Sequence, residues 1–370
     1  MKRMFRWIAV LGALALLAAA CGGDETQTAA TTTSTTQTTS TTEAPSTTAT
    51  TESTTTTTTE APDIGPVYPL TGEPLSENNS PDHAAVVIKV SNNDETARQA
   101  LIGLDQADIV YEERIEQQAT RFAAVFHSVL PDEVGSVRSG RTSDIQIVSN
   151  LNRPVFAFSG ANDGVHSQLR IAENEGTLIR ASADFNDPQF KRIGEFRPPN
   201  NLVADAASLL GEAEDGEPPS SVFDYSDNVI SLGAPAAGVR IEARVDALYV
   251  WSTPDAGYLR FQGDDAHMTR EGVQITPQNV IVLTTTYLPS QIDRTSVDAI
   301  TIGDGPVTVY SGGFKVEGTW TREFPRDPFT LTTPDGDEIG LAPGQTWVSL
   351  TPEGTAAEIS LQEADSLRDN

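Results

Sequence analysis

"HAAVVIKV", residues 83–90, is the stretch on which the fold turns. Its apolar residues follow one another almost without interruption, whereas a strand with one wet face alternates apolar with polar. A run of this kind belongs in a sheet covered on both faces, and the usual cover is helix. "PVFAFSG" (154–160) reads the same way, and "ADIVYEER" (107–114) and "TRFAAVFHSVL" (120–130) supply two more strands. Between them, "TSDIQIVSNLN" (142–152) sets Ile145, Ile147, Val148 and Leu151 on a helical stripe, and "TARQALIGLDQA" (96–107) is a weaker helical candidate. Residues 67–225 are therefore expected to form an α/β-type domain with a helix-covered sheet.

"EAEDGEPPSSVFDYSDN" (212–228), rich in Pro, Ser and acid, reads as a boundary. Beyond it "ALYVWS" (247–252), "GYLRFQ" (257–262), "NVIVLTTTYL" (279–288) and later segments are short and β-rich. Gly-Asp-Gly (303–305), Ser-Gly-Gly (311–313) and Pro-Asp-Gly (334–336) read as hairpin turns between them. A mostly antiparallel β domain over 226–357 and a tail over 358–370 follow, so the class is α+β. Trp320 and Trp347 at strand positions read as core, with exposed sugar-stacking platforms as the alternative.

The first residues give an address. "MKRMFRWIAVLGALALLAAAC" has basic Lys2, Arg3 and Arg6, then an apolar run too short to span a bilayer comfortably, then the only cysteine of the chain. This reads as a lipoprotein signal peptide over 1–20 with Cys21 lipidated; an uncleaved anchor helix would tether the chain equally. Two acyl chains, at about 0.8 kcal/mol per buried methylene, hold stably. Residues 21–66 are nearly all Thr with scattered Ser, Glu, Ala and Pro, and cannot offset the entropy of ordering. They are expected to be a disordered stalk with a reach of about 35 Å. The expected location is the outer face of the cytoplasmic membrane.

Charge narrows the partners. Without Lys2, Arg3 and Arg6, 21 basic residues face 52 acidic ones, a net charge of −31. Such a chain repels nucleic acid and anionic headgroups. Acylation of Cys21 leaves no thiol for a disulfide, a nucleophile or a zinc ligand. The expected partners are the membrane through the lipid anchor, and an anionic cell-wall component or an envelope protein. No cofactor and no metal are expected.

Against that acidity stands "VGSVRSGRTSDIQ" (134–146). From Arg114 to Arg153 there are five arginines and no lysine, which suggests planar, directed hydrogen bonding. "PDEVG" reads as a short loop and Thr142 or Ser143 as the N-cap of the next helix, so Arg138, Ser139 and Arg141 fall at a helix entry. Free N–H groups there favour anions, and Arg121, Arg138 and Arg141 would reinforce them. The alternative is an internal ion-pair network with the acids of "ADIVYEER", and the sequence leaves the two level.

Here the chain resembles the YerB-like lipoprotein family, whose two domains carry the label DUF3048. The resemblance rests on "PLTGEPL" (69–75), "QADIVYEERIEQQATRFAAVFHS" (106–128), "VGSVRSGRTSDIQIVSNLNRPVFAFSGAND" (134–163) and "FKRIGEFRPPNNLVAD" (190–205), then on "YLRFQGDDAHMT" (258–269), "NVIVL" (279–283), "GTWTRE" (318–323) and "GQTWVSL" (344–350). The family's acid-Ile-Val-Tyr-Glu element falls on Asp108 to Glu112, its Thr-Arg-Phe on Thr120 to Phe122, and its Val-Arg-Ser-x-Arg on Val137 to Arg141. Two positions depart: Asn200 stands where relatives usually carry His, and Thr269 where an acid usually follows His267. The resemblance implies a cell-surface lipoprotein and no defined chemistry.

Nothing in the residues forms a recognised catalytic set. His83, His127, His166 and His267 are scattered, with no HExxH and no Gly-x-Ser-x-Gly. His127 is expected near the arginine loop, although single histidines are more often structural. Asp108 and Glu112, four apart on a strand, would lie about 13 Å apart, too far for glycosidase geometry. The candidate ligand-binding residues are thus Arg121, Arg138, Ser139, Arg141, Asp108, Glu112 and His127, and catalytic residues stay unassigned. The favoured reading is a non-catalytic envelope-binding module. A hydrolase acting on wall glycan, peptide or phosphorylated polymer, and a scaffold for other envelope proteins, are the alternatives.

Overall fold

A computed structural model describes residues 65–75, 81–185, 187–213 and 216–369. The expected signal peptide, the lipidation site Cys21 and all but the last residues of the expected stalk lie outside the described residues.

Ten strands, in chain order, build the central sheet: β1 (Val86–Ser91), β2 (Ile109–Arg114), β3 (Thr120–Phe126), β4 (Val155–Phe158), β5 (Ile179–Ser182), β6 (Asn279–Thr284), β7 (Gly303–Ser311), β8 (Phe314–Arg322), β9 (Thr330–Thr332) and β10 (Thr346–Thr351). They lie in the order β9-β8-β7-β6-β10-β2-β3-β1-β4-β5, with Ala234–Pro235 pairing beside β8. The seam between the two halves of the sequence falls inside this sheet. β10 enters parallel between β2 and β6, so strands from residues 86–182 and 279–351 share one hydrogen-bonded layer. β1, β4 and β5 are mutually parallel, and β3 runs against both β1 and β2. The C-terminal ends of β1, β2, β4, β5, β6 and β10 therefore share one edge.

Both faces of the sheet are covered, as the apolar runs require. Helices α1 (Thr142–Val148) and α2 (Asp163–Asn174) lay Ile147, Val148, Val165, Leu169 and Ala172 against Val87, Phe156, Phe158, Val125 and Tyr111. On the other face, Val86, Ile88, Val110, Phe122 and Trp347 meet a second, antiparallel sheet of Gly238–Ile241, Ala247–Ser252, Gly257–Gln262, Asp265–Ala266 and Ala356–Glu358 through Val239, Ile241, Tyr249 and Tyr258. The first half thus has helix on one face, the second half is mostly antiparallel β, and the class is α+β. Trp320 and Trp347 are buried, as core residues should be.

Several local expectations change. The N-cap of α1 is Arg141, not Thr142 or Ser143, because Asp144 reaches back to the Arg141 amide at 2.7 Å and fixes the first turn one residue earlier. Gly303–Gly305 is the opening of β7, not a turn, since Gly305 sits across from Trp320. The turn after β7 is Gly312-Gly313, both at positive φ (60° and 81°), the pairing a tight hairpin needs. The tail contains a helix, Leu361–Arg368, capped by Ser360 and docked through Ala364 and Leu367.

Candidate functional site

The site grows from the alternation of side chains along β2 and β3. Consecutive Glu112 and Glu113 point to opposite faces of the sheet, and each enters a different buried cluster.

On the helix face, Glu113 meets Lys89 Nζ at 2.7 Å, and Lys89 also lies 2.8 Å from Asp144 Oδ1. All three are buried, and Ser143 Oγ donates to Glu113 at 2.5 Å. Burial pushes Glu113 up, but Lys89 and Arg141 outweigh it and hold its carboxyl below the usual range. Burial raises Asp144 to about 6 against the pull of Lys89, with Glu113 adding to the rise, so of the two acids Asp144 takes a proton first. Lys89 supplies one positive charge to two carboxylates.

Arg121 stands directly across β3 from Glu113 and Ser91. Among the described residues its guanidinium has one hydrogen-bond partner, the Ser139 carbonyl at 3.0 Å, and its buried Nε has none. No carboxylate lies in ion-pair range among the described residues. Burial, then Arg141 and Arg138, push its pKa down to about 10, with Glu113 opposing. Arg141 differs. It forks onto Glu116 (2.9 and 3.3 Å), donates to Val297 O at 3.1 Å and also bonds Ser296 Oγ. Arg138 is pinned by neutral groups: Ser91 Oγ at 3.1 Å, Asn93 Oδ1 at 3.4 Å and Asn200 Oδ1 at 2.9 Å. Burial lowers it, and Asp94 partly restores it from a distance.

Arg121 and Arg141, with Ser139, Gly140, Asn162 and Ser296, line an open cleft of about 450 Å³. The cleft lies at the C-terminal edge of the parallel strands, where open α/β sheets usually hold ligands. Glu116 and Asp293 also border it, Asp293 accepting from Asn162 Nδ2 at 3.1 Å. Among the described residues no group of three or more His, Cys, Asp or Glu side chains is gathered as a metal would need.

Asp108 and His127 are not in this cleft. Asp108 precedes β2 and His127 follows β3, at the opposite end of strands about 20 Å long by their rise per residue. Asp108 accepts from the amides of His127 (2.5 Å) and Ser128 (2.9 Å) and from Ser128 Oγ, and burial raises it to about 6. His127 Nε2 contacts Pro81 O at 2.9 Å, and its pKa falls to about 4 through burial and the nearby His83 ring. The chain needs residues 127–138 to climb back to the cleft. "PDEVG" is that return path: Val134–Gly135 pairs with Val203–Ala204, and Val137 bridges to Val90. The expectation that His127 sits near Arg138 is corrected accordingly.

Glu112 occupies the other face. Arg260 grips it with two bonds of 3.0 and 3.1 Å, while Thr120, Tyr249 and Trp347 donate to it at 2.7, 3.1 and 3.0 Å. Arg260 is itself buried, 4.8 Å from the Trp347 ring centre and 5.4 Å from those of Phe122 and Tyr249.

Residues 70–218 match "Protein of unknown function (DUF3048) N-terminal domain" and residues 238–348 match its C-terminal domain. The chain belongs to the DUF3048 family. This DUF3048 protein is 28% identical over 312 residues to "Putative lipoprotein YerB" of Bacillus subtilis (strain 168), spanning 80% of this chain and 89% of that one. A crystal structure of the YerB protein from Bacillus subtilis shares the fold, with a TM-score of 0.67 at 22% identity over 79% of this chain and 99% of that one.

In this DUF3048 member Asn200 provides the amide oxygen that holds Arg138. Lys89, Asn162, Asp293, Thr295 and Ser296 escaped the sequence reading. Lys89 had a signal, since a lysine inside a run buried on both faces requires a carboxylate. The others come from loops that only folding brings beside Arg141.

Proposed function

We propose that this chain is a lipid-anchored protein on the outer face of the cytoplasmic membrane whose cleft binds an anionic envelope component without turning it over. The address rests on the leader with Cys21, on the Thr-rich stalk, and on the name of the relative, a lipoprotein. Among the described residues no helix is long and apolar enough to cross a membrane.

The observation that carries the binding reading is Arg121. A mostly buried guanidinium that borders a cleft and is met by a single carbonyl leaves donors and a positive charge for a ligand. Arg141 shapes the wall instead, because Glu116 already answers its charge. A hydrolase finds less support. Glu116 is held by Arg141, Asp293 by Asn162 and Thr295, and Asp108, Glu112 and His127 face other surroundings.

Calorimetric titration of the mature chain with a glycerol-phosphate oligomer and with a carboxylate-bearing muropeptide tests this reading. A charge-assisted hydrogen bond of about 1.5–3 kcal/mol makes Arg121→Gln weaken binding at least about tenfold. Equal affinity in wild type and Arg121→Gln refutes it, and so does mass-spectrometric evidence that either compound is cleaved.

A further inference from the structure

The face opposite the arginine cleft holds a second cavity, of about 570 Å³, between the short helix Glu95–Gln99 and the second sheet. We propose that it is a separate binding site for a small organic monoanion of the carboxylate class. Three observations converge on it.

The first is His267, which lines the cavity and is 3% exposed. Arg260 Nη1 bonds to its Nδ1, and a guanidinium can only donate, so Nδ1 accepts and the ring proton sits on Nε2. That buried Nε2–H has no acceptor in the described structure. Orphaned buried donors are rare and costly, and a ligand oxygen would satisfy this one. The second is Arg98 on the wall, whose guanidinium donates no hydrogen bond to any described residue; Glu95, Asp94 and Asp265 act on it only at longer range. Burial, Arg260 and Arg98 together keep His267 far below its usual pKa, so the imidazole stays a neutral donor beside two cations. Glu112 already answers Arg260, which leaves the charge of Arg98 for a ligand.

The third observation sets the ligand's size and charge. Met268, 37% exposed, gives the cavity an apolar wall, which suits an organic body attached to the anion. Glu95 and Asp265 border the same space and would repel a second negative charge, so a monocarboxylate is favoured over a phosphate dianion.

The test follows the ¹⁹F linewidth of 4-fluorobenzoate with the mature full-length chain, with benzoate and inorganic phosphate as competitors. The expected result is saturable broadening at millimolar probe, reversed by benzoate and not by phosphate. Arg98→Gln, which removes no hydrogen bond from the fold, weakens binding about tenfold, while Arg121→Gln leaves it unchanged. Absence of saturable broadening in the wild type, or equal affinity in Arg98→Gln, overturns the proposal. Loss of binding in Arg121→Gln also overturns it, because the probe would then be reading the first cleft. Displacement by phosphate as effective as by benzoate removes the monoanion class. None of these outcomes depends on the fate of the wall-component reading.

Discussion

Arg260→Met is the substitution that most directly tests how the two sheets are joined. Arg260 comes from the second sheet, Glu112 from the central one, and both are buried. Replacing the cation leaves Glu112 with three neutral donors, Thr120, Tyr249 and Trp347, and an unanswered charge in a low-dielectric setting. Breaking a buried pair from one side costs about 3–5 kcal/mol. Lost stacking on Trp347, of order 1 kcal/mol, falls within that figure. Against a typical total stability of about 5–15 kcal/mol, the loss is large. The double variant Glu112→Gln/Arg260→Met removes the charge while its amide oxygen still accepts from Trp347 and Tyr249, so about half of the loss should return. Urea unfolding at pH 7, followed by tryptophan fluorescence, measures all three proteins together with Glu112→Gln. A loss below about 1 kcal/mol in Arg260→Met, or a coupling energy near zero in the double-mutant cycle, would show that the pair contributes little and refute the reasoning.

Asp108 has a folded-state pKa of about 6 against 3.8, so the native state holds its proton more tightly than the unfolded chain. Its contribution is fully present below about pH 4 and lost as pH rises through about 6, a change of about 3 kcal/mol. Asp108→Asn, whose amide can still serve the His127 and Ser128 amides and Ser128 Oγ, should gain on wild type across that window; urea midpoints that shift in parallel at pH 4 and pH 7 contradict this. Lys89→Leu strands Glu113 and Asp144 together and should lose about 3–5 kcal/mol at pH 7, with a smaller loss at pH 5, where Asp144 is protonated; chemical denaturation at both pH values decides. Gly313→Val forces a branched side chain into positive φ and to within 2.7 Å of Trp251 Nε1, and a fall in Tm of several degrees is expected by calorimetry, equivalent to about 1–3 kcal/mol.

How far the sequence could be read depended on the kind of residue. Continuous apolar runs announced β1 and β4 because a strand without a polar face has only one stable setting. The stripe of α1 was equally legible, since Ile147, Val148 and Leu151 recur at helical spacing. Gly303–Gly305 misled because glycine serves a tight turn and a close strand crossing alike, and only the Trp320 ring opposite distinguishes them. The arginine loop was found as a charge anomaly, yet its members part ways. Arg141 pairs with Glu116, Arg138 lies between a hydroxyl and two amides, and Arg121 meets a carbonyl. Nothing in their spacing encodes that, because each partner comes from a different element.

Taken alone, the sequence determined the class of fold and the family, since these follow from local composition, periodicity and short motifs. Tertiary structure decided what the charges do. Strand alternation sends Glu112 and Glu113 to opposite faces, β10 crosses from the far half of the chain to sit beside β2, and loop 290–298 closes on Arg141. Charge pairing in a protein interior is set by which groups share a desolvated volume, and that volume exists only once distant segments have packed.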